Sequence, residues 1–471
     1  MGADPVLVLQ LHRMGDLILT FPLLLHLQRL HPDCPLWVVA DPRFFRELMP
    51  LTPKAVFFTP EHCDALACRS YTAAINLSSA PVAAACMGRL KAPCKLGPVA
   101  DADGLHIRGF WQLYRAALTQ NNRNNAFHWA DLHQLDLTPG PDLSREGHAR
   151  PASAGTRRVG LVLGASEEAK RPDAAFWARL AVRLAANGAP PVFLGGPAEA
   201  ELGAEVARRS GLRDANCCGK LSLGRLAALM RTLDLCITPD TGPMHLADFL
   251  GVPVLNLSMG PVHARETGPS APGQWVLRAD MSCVGCWQCN RAHLYCKRAF
   301  APLPVAQTAL RLLEHPAASP ADAAPAASAG LALYRTGRDA LGLHTLTRSP
   351  SAPPSACRPL LEDLWQAVFL YLYNPRQEAL LRERLARLAA VHPRLVRNIA
   401  EHLSRLCAVC AARLRQGSRL PENFWRTQPG ILRLFTGHLH MFLQNTGFDR
   451  EGWSVALTRL GALAPLFAAA A

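Results

Sequence analysis

Cys236 to Ala247 reads Cys-Ile-Thr-Pro-Asp-Thr-Gly-Pro-Met-His-Leu-Ala, an apolar run of strand length that breaks at a turn and resumes with helical character. Thr241 or Gly242 can cap the helix and Pro243 suits its first turn, so free backbone N–H groups point out of the strand end. Such a turn attracts an anion. In a doubly wound sheet it lies at the carboxyl ends of the strands, where ligands bind. Asp240, Thr241 and His245 would then stand around a bound phosphate. Taken alone, the same residues also describe a capped helix with no ligand. Asp-Thr-Gly occurs in aspartic proteases too, which need two such aspartates sharing a proton. Here there is one, followed by Pro243 and a helical pattern, so a protease is a distant rival.

Working outward, strand-length apolar runs alternate with helical patterns on both sides of this stretch. Val6 to Leu11, Leu36 to Ala40, Ala55 to Thr59 and Ala73 to Leu77 are expected strands, closed by helical patterns at Phe110 to Thr119 and Phe127 to Leu137. A second series has strands at Val159 to Leu163, Pro191 to Leu194, Leu235 to Thr238 and Val254 to Leu257, with helices at Ala174 to Ala186, Glu199 to Arg209 and Leu223 to Thr232. Alternation of this kind implies parallel sheets with helices on both faces. The fold class is therefore α/β: two doubly wound halves facing a cleft, spanning about 1–150 and 151–315. Pro-, Gly- and Ser-rich Thr138 to Arg157 reads as the connector. The region 316–359, Ala-, Pro- and Ser-rich at Pro316 to Gly330 and Ser349 to Pro359, reads as a linker, and 360–471 as an all-helical extension.

At 471 residues the chain exceeds one hydrophobic core, and 49% apolar with 18% charged residues fits a globular protein. No apolar run of spanning length is expected, because Arg459 interrupts the alanine-rich end. The N-terminus carries no signal-peptide pattern, so the expectation is a cytoplasmic protein. The net charge of +14 points to an anionic partner. From Leu331 onward there are 18 Arg and no Lys against 9 acidic residues, so much of the excess lies in the tail. It lacks the aromatic interleaving of a nucleic-acid surface, and no nucleic acid is expected.

Several residues at strand-to-helix turns can carry chemistry. Gly15 and Asp16 stand where the first strand meets its helix, and Asp16 is either a helix cap or a general base facing the cleft. Gly164 to Lys170, Gly-Ala-Ser-Glu-Glu-Ala-Lys, is a small-residue turn whose Lys170 can neutralise a phosphate. Glu199, after Leu-Gly-Gly-Pro-Ala, can accept from a ribose hydroxyl or simply complement a helix start.

In this order and on these elements the residues resemble the heptosyltransferases of lipopolysaccharide assembly, glycosyltransferase family nine, over about Val6 to Leu303. The Asp-Thr-Gly-x-x-His element, Asp240 to His245, is the most specific match. The resemblance implies a GT-B arrangement, an ADP-heptose donor on the second half, inversion at the anomeric carbon, and no cofactor or metal for catalysis. By the same resemblance Asp16 is the general base and Lys170 stabilises the leaving diphosphate. Ser166, Glu199, Asp240, Thr241, Gly242 and His245 bind the donor. His12 and Arg13 fall on the acceptor side, an anionic glycolipid of the inner core. Gln10, His12 and Arg13 depart from the family's usual residues there, and Pro172 replaces a usual Trp. Alternatives are the same fold acting on a protein or another glycan, or a non-catalytic nucleotide-binding protein.

Cys283, Cys286, Cys289 and Cys296 crowd a short loop, which in a reducing compartment favours a structural metal, zinc before iron, over disulfides. Four reduced thiols packed in a loop is the competing expectation. The Arg-rich tail suggests either peripheral docking on the cytoplasmic face of the inner membrane or assembly with itself or a partner.

Overall fold

All five residues of Val6–Gln10 (β1) are buried, as a parallel strand covered by helices on both faces requires. The computed structural model describes residues 3–138, 155–281, 283, 285–287, 289, 291–316, 319–324, 330–349 and 356–471. β1 pairs within a six-stranded sheet with β2 (Leu36–Ala40), β3 (Val56–Phe58), β4 (Ala73–Asn76), β5 (Cys94–Asp101) and β6 (Gly104–Arg108), ordered β3-β2-β1-β4-β5-β6. Only β6 runs antiparallel to its neighbour. The second sheet has β7 (Val159–Val162), β8 (Pro191–Leu194), β9 (Leu235–Pro239), β10 (Val254–Leu257), β11 (Trp275–Ala279), β12 (Leu331–Arg338) and β13 (His344–Ser349), ordered β13-β12-β11-β10-β9-β7-β8. Its first five strands are parallel, and β12 and β13 are antiparallel additions.

The two halves meet rather than merely face one another. Leu17, Ile18 and Phe21 of the first pack with Met230, Met244 and Leu246 of the second in one core, and Phe21 meets Phe249 edge-on at 4.9 Å. Contact is closest where helix Met14–Leu19 crosses helix Gly242–Phe249. An added Cβ on Gly15 would lie 2.9 Å from His245 Cδ2, so only glycine fits there without a shift.

Two expectations for the later chain need correction. Within the expected linker 316–359, Leu331–Ser349 is the β12–β13 hairpin that widens the second sheet. Ala and Pro dominate only its flanks, whereas Leu331–Leu333 is buried against β11. Arg338 carries the hairpin to the first half, bonding buried Asp131 at 3.0 Å, and the His344 N–H donates to the same carboxylate at 2.9 Å. The expected connector falls largely on 139–154, outside the described residues.

The extension, in turn, is not packed by itself. Its helices Cys357–Tyr373, Glu378–Val391, Pro393–Gln416, Arg433–Asn445 and Arg450–Ala469 share a core with Trp111, Tyr114 and Phe127 of the first half, to which Leu364, Phe369, Leu439, Trp453 and Phe467 contribute. Arg450–Ala469 is, against expectation, long and apolar enough by composition to cross a membrane. Its Trp453, Ala456, Leu460, Leu463 and Phe467 are nevertheless buried in this core. Arg459, expected to rule out a span, lies over the Phe110 and Phe442 rings instead.

Candidate active site

β9 ends at Pro239 and helix Gly242–Phe249 begins three residues later, so Asp240 and Thr241 occupy the strand-to-helix turn. Thr241 is the N-cap but makes no side-chain cap bond, which leaves the helix start open to a ligand acceptor. Lys170 reaches the turn from the short helix Glu168–Lys170 after β7. Its Nζ lies 4.0 Å from Asp240 Oδ2 and 3.4 Å from Glu167, and the side chain is only 9% exposed. Thr267 donates to Asp240 Oδ2 at 3.3 Å. His245, one turn into the helix, places Nε2 4.0 Å from Asp240 Oδ1.

Burial sets the charge states. Desolvation pushes the Asp240 carboxyl up to about 6, against the pull of Lys170 and the Thr267 bond. Desolvation, with His128 and Lys170 adding to it, pushes His245 down to about 3, so its imidazole is neutral. The result is one buried cation beside a titratable carboxyl and a neutral imidazole at a helix start. That arrangement can receive a phosphate group.

Asp16 enters from the first half, in the first turn of Met14–Leu19, and accepts the Arg13 backbone N–H at 3.2 Å. It therefore caps its helix, yet its charge is also felt at His12, Arg115 and Asp240. Arg13 crosses the cleft and donates to Ser166 Oγ at 2.9 Å. His12 Nε2 accepts the Ser79 N–H at 3.0 Å, and burial lowers the ring's pKa, consistent with a neutral acceptor. Glu199 stands apart from the Lys170 cluster: its Oε2 accepts the Gly196 N–H at 2.9 Å, and its carboxyl lies against Gly164. A cavity of about 500 Å3 touches the far side of His245, but Asp234, Pro253 and Trp275 place it at the amino ends of the strands, the wrong edge for ligands in this fold.

Five groups that sequence reading missed complete the cleft. Glu266, fully buried, accepts from Asn122 Nδ2 and Asn125 Nδ2 of the first half at 3.0 and 3.2 Å. Its neighbour Thr267 holds Asp240, as above. Glu362 of the extension meets the same segment at Arg265 and His263, 3.5 and 3.7 Å away. Burial opposes its charge, but His263, Arg265 and Arg358 outweigh that and hold its carboxyl down to about 2. Arg115 and Trp287 also enter the cleft, beside Trp129 and Lys170 respectively. Nothing in the spacing of His-Ala-Arg-Glu-Thr signals these roles, because each partner comes from a distant part of the chain.

The four loop cysteines line one small cavity with Gly260 and Arg291. Burial, then the neighbouring thiols, push Cys286 up to about 11. The donor set suits a soft metal. Among the described residues no three His, Cys, Asp or Glu side chains converge to hold an ion.

The family model for glycosyltransferase family 9 (heptosyltransferase) matches residues 61–293, and with it the Lys170 and Asp240 turns. Over that stretch, just under half of its length, the chain is similar to glycosyltransferase family 9. Lipooligosaccharide heptosyltransferase 2 of Campylobacter jejuni is 30% identical over 168 residues, 34% of this chain and 52% of that protein. Lipopolysaccharide heptosyltransferase 1 of Pseudomonas aeruginosa is 34% identical over 113 residues, 24% of this chain and 31% of that protein. The chain thus spans about half or less of the length of these curated relatives. A solved family 9 structure from Veillonella parvula superposes with a TM-score of 0.54 at 23% identity, over 67% of this chain and 98% of that one. That likeness establishes the two-sheet GT-B fold.

Proposed function

We propose that this chain acts as a family 9 heptosyltransferase, transferring heptose from ADP-heptose to an inner-core lipopolysaccharide acceptor with inversion at the anomeric carbon. The observation that carries the reading is the placement of buried Lys170 beside Asp240 at the open start of helix Gly242–Phe249. A departing ADP gains negative charge on its diphosphate, and a fixed cation with aimed backbone N–H groups stabilises that charge more than it stabilises the bound donor. In this reading Ser166, Thr241, Gly242 and neutral His245 line the donor, and Glu199 accepts from the ribose. Asp16 takes the proton from the attacking acceptor hydroxyl as the new glycosidic bond forms and the sugar–phosphate bond breaks. His12 and Arg13 face the acceptor side, with Arg13 exchanging its Ser166 bond for the incoming glycan. The Arg excess of the tail supports contact with the anionic leaflet that carries such an acceptor.

Nucleotide binding and one substitution test the reading. Titration of the intact chain with ADP, UDP and GDP is expected to show preference for ADP. Asp16→Asn is expected to lower transfer by at least about 100-fold while leaving ADP affinity within about twofold, since a general base contributes to the step and not to donor binding. Undiminished turnover by Asp16→Asn would remove the base assignment; equal affinity for all three nucleotides would remove the donor.

A further inference from the structure

Trp287 has a left-handed backbone, φ +51°, a conformation that strains a bulky residue and persists only where surroundings enforce it. The surroundings are the cysteine loop. Gly285, φ +57°, lets that loop press against both halves: an added Cβ would sit 2.9 Å from His263 Cδ2 and 3.0 Å from Arg123 Cα. The Trp287 N–H donates to the Pro261 carbonyl at 3.0 Å. Farther along, Lys297 Nζ donates to the Glu168 carbonyl at 2.8 Å, tying the loop to the turn that carries Lys170.

So held, the indole lies in the cleft with Lys170 Nζ 5.7 Å from its ring centre. Its other neighbour is Trp129 of the first half, nearly parallel at 12° with ring centres 6.5 Å apart. Arg115 lies over the Trp129 ring, 5.6 Å from its centre. The four side chains make a ladder, Arg115, Trp129, Trp287, Lys170, that crosses from the Asp16 side of the cleft to the Asp240 side. Trp287 also contributes a side-chain bond to buried Glu266. A cation over an indole face is attracted by the ring quadrupole, more so when shielded from water.

We propose that Trp287 is a positioning residue for transfer: the cysteine loop presents its indole, braced on Trp129 of the first half, so that Lys170 is aimed at the leaving diphosphate. The inference rests on the transfer reading above and adds to it a purpose for the loop. Trp287 is 36% exposed, so its replacement leaves the cores intact.

The test uses the full chain, ADP-heptose and a glycolipid acceptor, and compares Trp287→Phe, Trp287→Leu, Lys170→Met and Trp287→Leu/Lys170→Met. Trp287→Leu is expected to lower kcat by about tenfold with donor KM and melting temperature little changed, within the range a cation–π contact covers. Trp287→Phe should recover most of the loss, because a smaller ring still offers a face. In the Lys170→Met background, Trp287→Leu should cost nothing further. Equal losses in both backgrounds, or Phe no better than Leu, overturn the inference while Lys170 keeps its role. Full activity of Lys170→Met, or no turnover of ADP-heptose by the native chain, overturns the transfer reading and the inference with it.

Discussion

Glu266 shows how far a single buried group can depart from its usual behaviour. Desolvation pushes its carboxyl up to about 8, although bonds from Asn125, Asn122 and Trp287 pull the other way. Near neutral pH it is therefore held as the acid. Between its ordinary value of 4.5 and about 8 the native state keeps a proton that the unfolded chain has lost, so stability falls as pH rises through that window. The slope is at most about 1.4 kcal/mol per pH unit. Glu266→Gln, which keeps the shape without the charge, is expected to flatten it; urea unfolding at about pH 5 and about pH 8 measures the difference. An unchanged slope in the variant would show that the proton is held elsewhere. At this scale the sequence was legible where chemistry follows the chain, as with Lys170, Asp240 and His245, which sit on turns that hydrophobic periodicity locates. Glu266, Trp287 and Arg115 were not, because what makes them matter is desolvation by partners from another half.

The elements divide along similar lines. Helix Ala174–Ala186 begins and ends where periodicity put it, with Asp173 accepting the Phe176 N–H at 2.7 Å as its cap. Strands buried on both faces were equally readable. Harder were β5, whose Lys95 and Pro98 interrupt any apolar run, and β11, whose Arg278 is buried by donating to Ser258 Oγ and the Val262 carbonyl, both at 2.9 Å. A charge inside a short strand hides the pattern until its partners are known. The crossing of helices Met14–Leu19 and Gly242–Phe249 belongs to this scale as well. Gly15→Ala forces His245 or a whole helix to give way, and overpacking of this kind costs about 1–3 kcal/mol. The expected outcome is a lower melting temperature together with weaker ADP binding, read by calorimetry on one preparation. Loss of stability with ADP affinity intact would mean that the crossing braces the fold without shaping the donor site.

At the scale of the whole molecule, the doubly wound architecture was visible in the alternation of patterns, whereas the docking of the tail was not. Amphipathic helices report that they bury a face, never against what. Here the face is Trp111, Tyr114 and Phe127, each at most 1% exposed with the extension in place. Truncation after residue 356 bares them, and burying a large side chain is worth about 1.5–3 kcal/mol each. The truncated chain is expected to be insoluble or largely unfolded; a soluble, monomeric product with native near-ultraviolet circular dichroism would refute the shared core. Membrane contact is for that reason better probed by reversing exposed charges such as Arg394 and Arg397 than by deletion. The shared core also sets an order of events during synthesis. The extension's first contribution to it, Leu360, is made only after the whole second half has followed Phe127 out of the ribosome. The amino-terminal half therefore emerges with an aromatic face uncovered and waits for the last helices to close it, the kind of delay that chaperones attend.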